Sequence, residues 1–156
     1  MCSTCNPTNR KLGLYSPLLV PSHPWESISM DFVRGLPLSK RGHDYMYAVV
    51  DSFRNICILM PCKKKINAEQ TAHLFFYHVW VHFGLPTSII LNRDSCFLRQ
   101  FWTSLCRIMD TKMKISISFH PQTNKKIEVV NITVVHLLQG YCTKRPKSWD
   151  DHLLYI

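Results

Sequence analysis

The chain has 156 residues, 46% of them hydrophobic and 12% aromatic, which is enough apolar material to bury the core of one domain and argues against disorder. Nineteen Lys and Arg stand against 10 Asp and Glu, a formal charge of +9, so polyanions such as nucleic acid are favoured partners. No window approaches the roughly 18 consecutive apolar residues that span a bilayer, and no signal core opens the chain, so an intracellular protein without a membrane partner is expected.

Pro7, Pro17, Pro21 and Pro24 with Gly13 mark residues 1–24 as an extended linker, and the compact domain is expected over 25–156. Ser27 to Val33 is a strand-like run ended by Gly35-Leu36-Pro37, and Tyr45 to Val50 and Ile56 to Pro61 are two further β-rich runs. The short polar link Asp51 to Asn55 between them predicts an antiparallel meander. The period then changes. Ala68, Ala72, Phe75, Phe76, Val79, Trp80 and Phe83 recur at three- and four-residue steps up to Gly84, predicting a helix with a glycine terminator.

Ser88 to Leu91 reads as a short strand, Phe97 to Met109 as a helix, and Lys112 to Ser118 as a strand alternating Met113, Ile115 and Ile117. A polar loop from His120 to Lys126 leads into a helix from about Ile127 to Tyr141, and Trp149 to Ile156 starts another helix-like segment. The order predicts an α/β fold, a five-stranded mixed sheet of three antiparallel and then two parallel strands flanked by helices.

Seven cysteines form no regular framework, and Cys57, Cys62, Cys96, Cys106 and Cys142 lie in apolar segments, so reduced thiols are expected. Cys2 and Cys5 make half a zinc site, and His23, His43 and His73 lack the spacing to complete it, so no zinc is expected. Phe75, Phe76, Trp80, Phe101 and Trp102 follow helical stripes and read as core rather than as base-stacking platforms.

Asp31 in an apolar strand is costly without a partner or an ion. Two-metal phosphoryl transfer holds its cations with hard oxygen ligands at strand ends and a helix start. Asp31, Asn92 after the fourth strand and Glu128 in the first turn of the last long helix occupy that order. The middle one is an amide. Glu128 alone is also explained by the helix dipole, and Asp94, two residues past Asn92, is a candidate substitute.

The stretches Pro24-Trp25-Glu26-Ser27-Ile28-Ser29-Met30-Asp31-Phe32, Gly35-Leu36-Pro37, Val49-Val50-Asp51-Ser52-Phe53, Phe83-Gly84-Leu85-Pro86, Arg93-Asp94 with Phe97, Phe101-Trp102 and His120-Pro121-Gln122-Thr123, with Glu128 and Asn131 after it, occur in one order. In that order and spacing the chain resembles the integrase catalytic core of gypsy-type LTR retrotransposons, in the retroviral integrase superfamily. The resemblance implies a ribonuclease H-like fold and DNA integration, by 3′-end processing and strand transfer. It implies two Mg2+ or Mn2+ ions on Asp31, Asn92 and Glu128, and DNA contacts at Arg93, His120, Gln122 and Asn131; the charge pair Lys125-Lys126 borders that site and reads as a solvated face or as phosphate contacts. A homodimer or multimer in the nucleus is also implied.

Two departures stand at the site the resemblance outlines. Where the family has Ser-Asp-Arg-Asp this chain has Leu91-Asn92-Arg93-Asp94, and its Asp-Gly-Gln-Thr-Glu appears as Asn124-Lys125-Lys126-Ile127-Glu128, with a stiffer loop for want of the glycine. Weak or absent catalysis is therefore expected. The resemblance also makes 1–24 the remnant end of a zinc module and 25–156 a C-terminally truncated core. The rival expectations are an active manganese enzyme, a domesticated DNA- or protein-binding module without catalysis, and an unstable relic that melts non-cooperatively. Lys63-Lys64-Lys65 reads equally as a solvated face or a phosphate contact.

Overall fold

The computed structural model describes residues 20–91, 93–110, 118–120 (backbone only) and 125–153. Cys2, Cys5, Asn92, Gln122 and most of the strand expected over Lys112 to Ser118 lie outside the described residues. The sheet has the order β3-β2-β1-β4-β5. Four strands make its body: β1 (Ser27–Val33), β2 (Tyr45–Asp51), β3 (Cys57–Cys62) and β4 (Ser88–Leu91). The three residues Ser118–His120 (β5) pair along the free edge of β4.

β1 pairs antiparallel with β2, and β2 antiparallel with β3, as the short polar link implied. β1 with β4 and β4 with β5 are parallel, because helical crossovers precede both strands. Alternation along the strands sorts the side chains into two cores. Ile28, Met30 and Phe32 of β1, with Tyr47, Val49, Met60, Ile89 and Leu91, face α1 (Ala68–Phe75) and α3 (Ser95–Ile108). Val33, Met46 and Ala48 face Val134 and Leu138 of α4 (Lys125–Cys142), together with Trp149. Phe75 and Phe101 are fully buried, and Phe76, Trp80 and Trp102 pack against them, so the aromatic stripes are core as their period implied.

The helix expected as one piece from Ala68 to Phe83 is interrupted. α1 gives way to a π-helical turn over Phe76–Trp80 before the short α2 (Val81–Phe83). Such turns insert one residue and shift the buried stripe, which a constant 3.6-residue reading does not register. Gly84 ends the run at φ 81°, a conformation that a side chain disfavours. At the other end Asn67 and Gln70 form a reciprocal capping box. Asn67→Ala is expected to cost about 1 kcal/mol of stability, read as a lower urea midpoint with an unchanged m value.

Trp149 opens no α-helix. It sits in a 3-10 segment, Pro146–Asp151, whose Pro146 lacks an amide donor. Trp149 donates its Nε1–H to the Pro37 carbonyl at 2.6 Å, and buried Asp150 accepts hydrogen bonds from Ser39 Oγ at 2.7 Å and His43 Nδ1 at 2.9 Å. These contacts pin the segment onto the β1–β2 loop.

Burial alone would raise the Asp150 carboxyl, but the hydrogen bonds from His43 and Ser39 outweigh it and hold the group below its ordinary value. A carboxylate depressed in the folded state stabilises above its unfolded pKa, about 3.9, and that contribution is lost as pH falls through the folded value. Urea midpoints should therefore drop on acidification below about pH 4, and Asp150→Asn should flatten that slope. Equal slopes in parent and variant would count against this account.

Cys57, Cys62 and Cys106 are free thiols. Burial pushes Cys57 and Cys62 up to about 12, so both stay protonated and behave as small hydrophobes. No helix among the described residues is long and apolar enough to cross a membrane.

Candidate active site

Asp31 is the one half-buried position in a strand otherwise buried. Alternation places it with Ser29 and Val33 on the α4 face of the sheet, opposite the apolar residues Met30 and Phe32. It pairs with Ala48 across β2. From α4, Asn131 donates its Nδ2–H to Asp31 Oδ2 at 2.9 Å. This bond fixes the first two turns of α4 over the middle of β1.

Glu128 lies in the first turn of α4, exposed, three residues before Asn131. Residues at that spacing are neighbours on a helix surface, about 5–6 Å apart at Cβ, so Glu128 shares the helix side that Asn131 turns to Asp31. Asn131 Oδ1 is buried without a hydrogen-bond partner among the described residues. A half-buried carboxylate beside an orphaned amide oxygen is a hard-oxygen pair, the donor type that magnesium and manganese take. Among the described residues, no group of three or more His, Cys, Asp or Glu is placed to hold a metal.

The expected middle ligand, Asn92, is not among the described residues, but both its neighbours are. Leu91 pairs with Met30, the residue before Asp31. The Arg93 guanidinium lies over the rings of Phe32 and Phe97, 4.6 and 5.1 Å from their centroids, a cation–π seat on the residue after Asp31. Asp94 caps α3, its Oδ1 accepting from the Phe97 amide at 2.8 Å, which gives this carboxylate a structural task.

Of the expected DNA contacts, Lys125 is exposed at the start of α4, and exposed Lys126 donates to the Ser52 carbonyl at 3.0 Å, bridging α4 to the β2–β3 turn. His120 ends β5 next to β4, and Gln122 lies outside the described residues. Two residues not singled out by sequence, Arg34 and His136, line a cavity of about 540 Å3 with Asp31 and Asn131. Their signal was faint: Arg34 follows the strand end, and His136 stands five residues beyond Asn131 on the same helix.

No family model matches the chain. The transposon Tf2-3 and Tf2-4 polyproteins of Schizosaccharomyces pombe are each 38% identical to it over 159 residues, covering 99% of the chain. The chain spans only 12% of the length of those relatives.

Among solved structures, the HTLV-2 integrase catalytic core domain in complex with magnesium (trimeric form) matches with a TM-score of 0.60. The identity is 19%, over 85% of this chain and 82% of that one. The simian T-cell lymphotropic virus intasome in complex with PP2A regulatory subunit B56 gamma matches with a TM-score of 0.59 and 18% identity, over 85% and 46%. At that identity the likeness shows the fold. Along nearly its whole length, then, the chain is a relative of one segment of transposon polyproteins, and it folds as a retroviral-type integrase core.

Proposed function

We propose that this domain is, by descent, the catalytic core of a gypsy-type retrotransposon integrase, built for DNA 3′-end processing and strand transfer, and that it keeps DNA affinity while its chemistry is impaired at Asn92. The observation that supports it most is the Asn131–Asp31 hydrogen bond, which joins the helix bearing Glu128 to the strand bearing the first carboxylate. The pairing of Leu91 with Met30 leads the chain toward Asp31 from the other side.

Asp31, Glu128 and the amide oxygens of Asn92 and Asn131 are the groups that would hold magnesium or manganese. Bound there, the ions would activate the attacking oxygen and stabilise the leaving one. The residues of the chain itself have separate tasks. Asn131 orients the Asp31 carboxylate, Arg34 offers a positive group to phosphate across the cavity that His136 also lines, and Lys125 meets the DNA backbone beside it. The structural relatives are a trimer, a dimer and part of an intasome, which supports a multimer on DNA; DNA integration would place the domain in the nucleus. Strand transfer by the parent chain against Asn92→Asp, with a DNA-end substrate, tests the reading.

A further inference from the structure

A second charged region lies away from the Asp31 site, at the opposite end of α4. Lys40 in the β1–β2 loop, Lys63, Lys64 and Lys65 after β3, and Arg145 and Lys147 at the 3-10 segment are all exposed. They are far apart in sequence, and the fold brings them together. The Lys40 amide donates to the Lys147 carbonyl at 2.8 Å, and the Asp44 amide to the Cys62 carbonyl at 3.2 Å. The Lys64 amide donates to Asp44 Oδ1 at 2.7 Å, and a Cβ added at Gly42 would stand 3.8 Å from Lys63 Cε. The Asp150 hub, with Ser39 and His43, locks the third segment to the first.

Gathering six like charges opposes folding, and the nearby carboxylates do little to relieve it. Asp151 pairs with Arg41 at 2.8 Å, Asp150 is buried in its hub, and Asp44 accepts from a backbone amide. None of the ion pairs among the described residues involves any of the six.

We infer that this cluster is a second anchor for the phosphate backbone of duplex DNA, separate from the Lys125–Lys126 corner; the inference rests on the reading of the domain as DNA-handling. The two clusters bracket α4. Lys126 is tied to Ser52 beyond the last residue of β2, whereas the six cations lie at the Tyr45 end. The 18 residues of α4 put them about 27 Å apart at 1.5 Å per residue, the length of about eight base pairs at 3.4 Å each. One duplex can therefore reach both. An anionic bilayer fits less well, since Leu38 is the one large apolar side chain exposed in these three segments, and interfacial binding draws on buried apolar area as well as charge.

The test is salt-titrated fluorescence anisotropy on a duplex of about 20 base pairs with the whole chain, the triple variant Lys64→Ala/Lys65→Ala/Lys147→Ala, and the double variant Lys125→Ala/Lys126→Ala. Thermal melting serves as a folding control. The triple variant should bind more weakly, and its slope of log affinity on log salt should be shallower by about 0.9 for each phosphate it no longer neutralises. A parental slope in the triple variant, with weaker binding by the double variant, overturns the second anchor and leaves the proposed function standing. Salt-insensitive binding by the parent overturns both. Loss of binding to phosphatidylserine vesicles, with DNA binding unchanged in the triple variant, also overturns the inference by assigning the cluster to a membrane.

Discussion

Strand transfer by Asn92→Asp is expected to exceed that of the parent chain by about a thousandfold in magnesium, since one anionic metal ligand supplies about 4 kcal/mol of transition-state stabilisation at about 1.4 kcal/mol per factor of ten. The amide oxygen of Asn92 is still a hard donor but carries no charge. In the proposed site, the set that would hold two divalent ions keeps two carboxylates, Asp31 and Glu128, with Asn131 as a neutral neighbour. Asp94 offers no substitute while its Oδ1 caps α3. Manganese should narrow the gap, because it follows the same oxygen chemistry with softer demands on geometry. The readout is joining of a labelled DNA end per unit time for both proteins side by side. Equal rates would mean that position 92 holds no ion. Gain of the expected size would assign the residue and the lesion at once.

Local signals carried most of the strand and helix assignments. Strand-like, β-rich composition in Ser27 to Val33 and Tyr45 to Val50 marked the central pair, and the 3.6-residue stripe marked α3 and the buried face of α1. Asp31 was legible because an acid in an apolar strand needs a reason. Contacts between distant segments were not legible. Nothing in sequence joins Asp150 to His43 and Ser39 or Lys126 to the Ser52 carbonyl, since those bonds arise only when α4 and the 3-10 segment lie across the sheet. The same holds for Arg93. The resemblance implied a DNA contact there, and the seat of its guanidinium over Phe32 and Phe97 became visible only from the fold. Asn131 carried over as a DNA contact by resemblance alone; its bond to Asp31 became visible only from geometry.

Asp51→Ala is expected to be the most damaging single substitution to stability outside the apolar core. Asp51 ends β2 with no exposed surface, and its carboxylate accepts from three backbone amides: Trp25 and Phe53 on Oδ1, each at 3.1 Å, and Arg54 on Oδ2 at 3.1 Å. Alanine would strand all three donors, each worth about 1–3 kcal/mol when left without a partner. Partial access of water to the exposed turn residues Phe53 and Arg54 brings the total to about 4 kcal/mol, a large share of the roughly 5–15 kcal/mol that holds a typical domain. Asn at this position keeps an oxygen for Trp25 and Phe53 and gives up only the bond from the Arg54 amide, so it should cost about 1–2 kcal/mol. The effect should reach the candidate site. Ser52, next in the chain, donates its amide to the Ser27 carbonyl and accepts from Lys126, so a loosened turn frees the start of α4, where Glu128 sits. Urea midpoints for the parent and both variants decide the matter. A destabilisation below about 1 kcal/mol in Asp51→Ala would mean that the three amides find other acceptors.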